Sequence, residues 1–99
     1  SGGQRQQVAF GRAMMTKPSV MLLDEPTAGV SPIVMDEIFS NILDVKNAGM
    51  AVLMVEQNAQ QALTIADKGF VLVSGRNEHT GTGKNLINDP EVRKKFLGG

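Results

Sequence analysis

The chain has 99 residues, 41% of them apolar, which suits one small globular domain with its own core. Ten Lys and Arg balance ten Asp and Glu, so no net positive charge points to a nucleic-acid partner or a polybasic membrane anchor. There is no Cys and only one His, which excludes a disulfide framework, a thiolate metal site and a multi-histidine metal site, and fits a reducing compartment.

Residues 4–16 read as a helix, led in by Ser1-Gly2-Gly3 and stopped by Lys17-Pro18. "VMLLD" (20–24) is a short apolar run with the pattern of a strand buried on both faces. "EPTAGVSP" is a loop by composition. Ser31-Pro32 then reads as an N-cap with proline in the first turn. Val34, Ile38, Ile42 and Val45, flanked by Met35 and Phe39, form an apolar stripe of helical period, and Gly49 ends that helix.

"MAVLMVE" (50–56) is a second buried-strand pattern. Asn58 caps a helix whose inner face is Ala59, Ala62, Leu63 and Ala66. "FVLV" (70–73) is a third strand, "SGR" (74–76) a turn and "NEHTG" (77–81) a weaker strand on which His79 is expected at the surface. Asp89-Pro90 repeats the cap-plus-proline start for a last helix ending near Phe96. Strands alternating with helices predict an α/β fold with a largely parallel sheet. The longest apolar runs fall far short of the roughly 20 residues that cross a bilayer, and no signal peptide is visible, although Ser1 is not a translation start.

Two stretches carry the chemistry. In "SGGQ", the glycines let the backbone approach a bulky anion, and the first turn of the following helix leaves N–H groups unpaired. The helix dipole and the Ser1 hydroxyl add to this anion seat, and Gln4 with the helix behind it adds modestly to that reading. An ordinary glycine-rich lead-in capped by Ser fits the same residues. In "VMLLDEP", a strand ends in two adjacent carboxylates at the edge where α/β sheets bind ligands. Successive side chains diverge, so Asp24 can hold a hard cation such as Mg²⁺ while Glu25 orients and partly deprotonates a water. A solvated acidic loop is the alternative.

Taken together, "SGGQRQQVAFGRAM" and "VMLLDEPT" resemble the signature motif and the Walker B strand of the ATP-binding subunits of ABC transporters. "AGVSP" is similar to the family's D-loop, "VLMVEQN" to its switch strand, and "GFVLVSGR" to a strand and turn near the end of such domains. The resemblance covers essentially residues 1–99, as one partial ABC ATPase domain. "GVSP", "VEQNA" and "NDPEVRKKFLGG" are most like the ATPase subunits of branched-chain amino acid importers.

The resemblance implies the C-terminal part of a P-loop NTPase sheet, mostly parallel and flanked by helices, with ATP and Mg²⁺ as cofactors. It implies a head-to-tail pair with a second ATPase subunit, in which Ser1, Gly2, Gly3 and Gln4 cover a nucleotide held mainly by the partner. Asp24 would serve Mg²⁺, and Glu25 the attacking water. Membrane permease subunits and a cytoplasmic position on the inner face of the membrane are implied as well. Gln57 stands where most of the family has a switch histidine; an amide can donate to the γ-phosphate but cannot carry a proton's charge. Ser31 stands at the D-loop's usual aspartate and serves equally as an N-cap.

The Walker A half is absent. "GTGK" (81–84) does not supply it: the motif is G-x-x-x-x-G-K-[ST], whereas Glu78 stands five before Gly83, Asn85 follows Lys84, and no proper helix is expected after it. The chain alone is therefore expected to be inactive. A helix N-terminus is worth ~0.3–2 kcal/mol to an anion, and micromolar binding needs ~8 kcal/mol. In the family the Walker A strand lies between those matching 50–55 and 70–73. The expectation is that these two strands re-pair, or that the chain self-associates by exchanging elements. A non-enzymatic oligomeric interaction module, and a soluble ABC ATPase working in repair or translation, are the other readings.

Overall fold

A computed structural model describes residues 20–99, which fall into two compact units dividing after Gln57. The helix expected over 4–16 and the anion seat at Ser1–Gln4 lie outside the described residues.

The first unit is a βαβ element: β1 (Val20–Asp24), α1 (Pro32–Asn47) and β2 (Ala51–Val55). The two strands are parallel and in register from Val20↔Ala51 to Asp24↔Val55. α1 starts where expected. The Ser31 hydroxyl accepts from the Val34 amide at 3.3 Å, and Pro32 occupies the first turn, where a missing N–H costs nothing. Its buried face is Ile38, Phe39, Ile42 and Val45, and the helix lies against β2. Each of these side chains contributes about 1.5–3 kcal/mol by leaving water. Gly49, at φ +96°, turns the chain out of the helix in a conformation that a side chain would strain.

The strands are buried on one face only, not on both. Met21, Leu23, Val52 and Met54 turn inward, while Val20, Leu22, Leu53 and Val55 are exposed, Leu22 at 72%. The two-residue period of a strand sends alternate side chains to opposite faces, and those of one face are exposed.

The second unit contains α2 (Ala59–Ile65), β3 (Lys68–Val73), β4 (Arg76–Thr82), α3 (Gly83–Asn88) and α4 (Pro90–Phe96). β3 and β4 form an antiparallel hairpin. Its two-residue turn is Ser74-Gly75, both at positive φ (50° and 78°), the backbone whose twist matches the flanking strands. The pairing slips between Val71 and Leu72, leaving Glu78 as the extra residue of β4. β2 and β3 belong to separate two-stranded sheets, so the expected re-pairing of these strands does not occur. β3 has instead taken its nearest neighbour in sequence, which closes the shorter loop.

Leu63, Leu86 and Val92 form the core of this unit, with Val71, Ile87, Phe96 and Leu97 against them. α3 is the element not foreseen. Thr82 caps it by accepting from the Asn85 amide at 3.0 Å, and it begins at a buried glycine, Gly83. A Cβ at Gly83 would collide with the backbone oxygens of Leu63 and Ala66. So the "GTGK" segment does run from a strand into a helix, and its glycine serves close packing against the end of α2. α4 is capped by Asp89, which accepts from both the Glu91 and Val92 amides (2.9 and 3.1 Å).

His79 is not a surface residue. Its side chain is 15% exposed and meets the Phe96 ring edge-on at 6.3 Å. Its Nε2 is buried without a hydrogen bond, 3.9 Å from the Glu91 carboxylate. The slip at Glu78 places His79 opposite the inward-facing Val71, which carries the imidazole toward α4.

Candidate functional site

The register of β1 and β2 brings the two strand ends level, because Asp24 pairs with Val55. Asp24, Glu25 and Gln57 therefore gather at one edge of the first unit. Asp24 is the last residue of β1, and its side chain is exposed. Glu25 follows at φ +46°, the left-handed region that costs a residue with a Cβ about 1–2 kcal/mol. Such backbone persists only where its surroundings over-determine it.

Those surroundings are visible. The Glu25 amide donates to the Val55 carbonyl at 2.7 Å, and the Glu25 carbonyl accepts from Ala28 at 3.1 Å. Pro26 is among the fully buried side chains. Thr27, 4% exposed, donates its hydroxyl to Glu56 Oε2 at 2.9 Å. A hydrogen bond to an ionised group contributes about 1.5–3 kcal/mol, comparable with the strain at Glu25. The other oxygen of Glu56 accepts from the Gln57 amide at 3.0 Å. The Gln57 side chain is exposed at the end of β2.

Sequence reasoning singled out Asp24, Glu25 and Gln57 but not Thr27 and Glu56, which the structure brings into contact beside them. The signal was a hydroxyl after a buried proline and a carboxylate just past a strand end, but only the register shows that they meet. Among the described residues, no group of three or more His, Cys, Asp or Glu side chains could hold a metal ion by itself. An exposed carboxylate such as Asp24 suits Mg²⁺, which takes one or two carboxylates and completes its shell with phosphate and water oxygens. No described helix is long and apolar enough to cross a membrane.

The ABC transporter family matches residues 1–28, from the "SGGQ" stretch through "DEPT". Over all 99 residues the chain is 48% identical to the high-affinity branched-chain amino acid transport ATP-binding protein BraG of Pseudomonas aeruginosa, of which it covers 42%. The chain is similar, along its whole length, to part of the ATP-binding subunits of ABC transporters. The family extends past importers: the lipopolysaccharide export system ATP-binding protein LptB of Haemophilus influenzae is 37% identical over 98 residues, with 41% of it covered. A solved ATP-binding cassette of an ABC transporter, in its ADP conformation, superposes with a TM-score of 0.78 at 35% identity. That match covers the whole chain and 41% of the cassette. The chain thus spans about two fifths of the length of the ABC subunits it matches.

Proposed function

We propose that the chain forms the C-terminal part of an ATP-binding subunit that drives import of branched-chain amino acids. The observation that carries the catalytic reading is Glu25. It is a carboxylate held in a strained backbone conformation at the end of a parallel strand, level with the segment carrying Gln57. In this reading Glu25 accepts the proton of the water that attacks the γ-phosphate, a role worth about 10²–10⁴-fold. The side-chain amide of Gln57 donates to the γ-phosphate. Ser1, Gly2, Gly3 and Gln4 are the signature contribution to a nucleotide bound mainly by the second copy. Asp24 is the Mg²⁺ ligand, and Mg²⁺ when bound neutralises charge on the phosphate oxygens. An edge bearing Asp24, Glu25 and Glu56 repels a polyphosphate unless a cation sits between them.

The partners in this reading are a second ATPase subunit and membrane permease subunits, met from the cytoplasmic face. The solute is assigned on the 48% identity to the branched-chain amino acid protein, against 37% for the lipopolysaccharide exporter. The test is ATP turnover by the complete subunit that carries this segment, reconstituted with its permease. E25Q abolishes turnover, and leucine, isoleucine or valine stimulates the wild type. Turnover that survives E25Q overturns the catalytic assignment, and stimulation by a solute of another class overturns the transport assignment.

The exposed Val20, Leu22, Leu53 and Val55 favour a second reading for the chain by itself, as a self-associating, non-enzymatic module. A monomer by sedimentation across the micromolar range excludes it.

A further inference from the structure

Glu25 and Gln57 sit on different segments, yet one side chain touches both segments. The Glu56 carboxylate spends one oxygen on the Thr27 hydroxyl, two residues past Glu25, at 2.9 Å, and the other on the Gln57 amide at 3.0 Å. Beside it, the Glu25 amide is tied to the Val55 carbonyl at 2.7 Å. Two hydrogen bonds thus join the loop after β1 to the end of β2, and the third, from Gln57 to its neighbour Glu56, steadies the carboxylate that receives one of them. One of their donors, Thr27, is almost wholly buried. We propose that Glu56 is a positioning residue, with Thr27 as its anchor, and that this bridge holds the loop bearing Glu25 and the segment bearing Gln57 as one body.

The chemistry favours this role over a plain loop fastening. A carboxylate with both oxygens engaged by groups fixed on two segments cannot rotate without breaking one bond. Movement of Gln57 is therefore passed to Thr27, and through the buried Pro26 to Glu25. Neither Thr27 nor Glu56 needs to meet the nucleotide. Their contribution is geometric, and a misplacement of about 1 Å at a reacting group costs on the order of 10²-fold in rate.

The inference rests on the proposed roles of Glu25 and Gln57, so two readouts separate its failure from theirs. The first uses this chain alone: the amide resonance of Gln57 in ¹⁵N-labelled protein. T27V keeps the shape of the side chain but removes the donor, and T27S keeps the donor. The Gln57 amide is expected to shift in T27V and in E56A and to lie near its wild-type position in T27S. Amide-exchange protection of β1 and β2 establishes that each variant is folded. A Gln57 amide unmoved by T27V overturns the bridge, whatever Glu25 does.

The second readout is steady-state kinetics of the complete subunit, with E25Q as the control for the catalytic assignment. T27V and E56A are expected to lower kcat about 10–100-fold with KM for ATP changed less than about twofold, and T27S to recover most of the loss. E56Q, with one acceptor oxygen for two donors, is expected to fall between wild type and E56A. Wild-type kcat in folded T27V and E56A, or a KM effect without a kcat effect, overturns the positioning role.

Discussion

The backbone amide of Glu25 donates to the carbonyl of Val55 at 2.7 Å, one step beyond the last register pair, Asp24↔Val55. The β1–β2 ladder therefore continues into the residue that has left the extended conformation. Glu25 is bonded as part of the sheet but turned as part of the loop. Its side chain consequently departs in a direction that an unbroken strand would not allow.

That left-handed turn separates stability from activity. Asn tolerates φ near +46° better than Glu, whereas a β-branched residue does not. In urea unfolding, E25N is expected to be as stable as the wild type or more so by up to about 1 kcal/mol, and E25V less stable by about 1–3 kcal/mol. With Glu25 in its proposed role, both are expected to lose ATP turnover in the complete subunit.

Ser31 is the cap of α1, through its 3.3 Å contact with the Val34 amide. S31A is expected to lower stability by about 0.5–2 kcal/mol. S31D, which restores the aspartate usual at that position in the family, caps equally well and is expected to hold stability. Thermal melts of the three proteins order them.

Two glycines of the second unit differ in what stands in the way of a methyl group. At Gly69 the obstacles are the ends of Leu63 and Leu86, both 2.8 Å from an added Cβ and able to rotate. At Gly83 they are backbone oxygens of Leu63 and Ala66, which move only with α2. G83A is expected to cost more than the ~1–3 kcal/mol typical of an overpacked core, and G69A to fall within that range. Denaturant midpoints of the two variants compare them directly.

Lys95 and Glu91 pair at 2.8 Å across one turn of α4. The Lys95 hydrogen bond, then its charge, holds the Glu91 carboxyl below its ordinary value, with a smaller push from His79. The same pair raises the Lys95 ammonium. Glu91 therefore stabilises the fold fully above the ordinary carboxylate range, and its share is lost as pH falls through the lowered value. Lys95 contributes below the ordinary lysine range, and its share is lost as pH rises through the raised value. The Tm gap between wild type and E91Q is expected to be open at neutral pH, to close at both extremes, and to shrink in molar salt because both groups are exposed.

Most of the second unit's punctuation was legible in the residues. Asn58, Asp89-Pro90 and Ser74-Gly75 act locally, through a side chain reaching amides two or three residues away or through a backbone angle that glycine permits. α3 escaped because six residues beginning with Gly carry too short an apolar pattern to show helical period. His79 escaped because its burial depends on a slip in pairing, which a strand's alternation does not announce.

The residues by themselves determined the α/β order, the caps of α1, α2 and α4, the acidic end of β1 and the likeness to the ABC ATP-binding subunits, since each is written in neighbours along the chain. Tertiary structure alone decided that β3 pairs with β4, that one face of β1 and β2 stays exposed, and that Thr27 meets Glu56 across 29 positions of sequence. Those outcomes are set by which strands come into register, and register is a relation between distant segments that no local pattern contains.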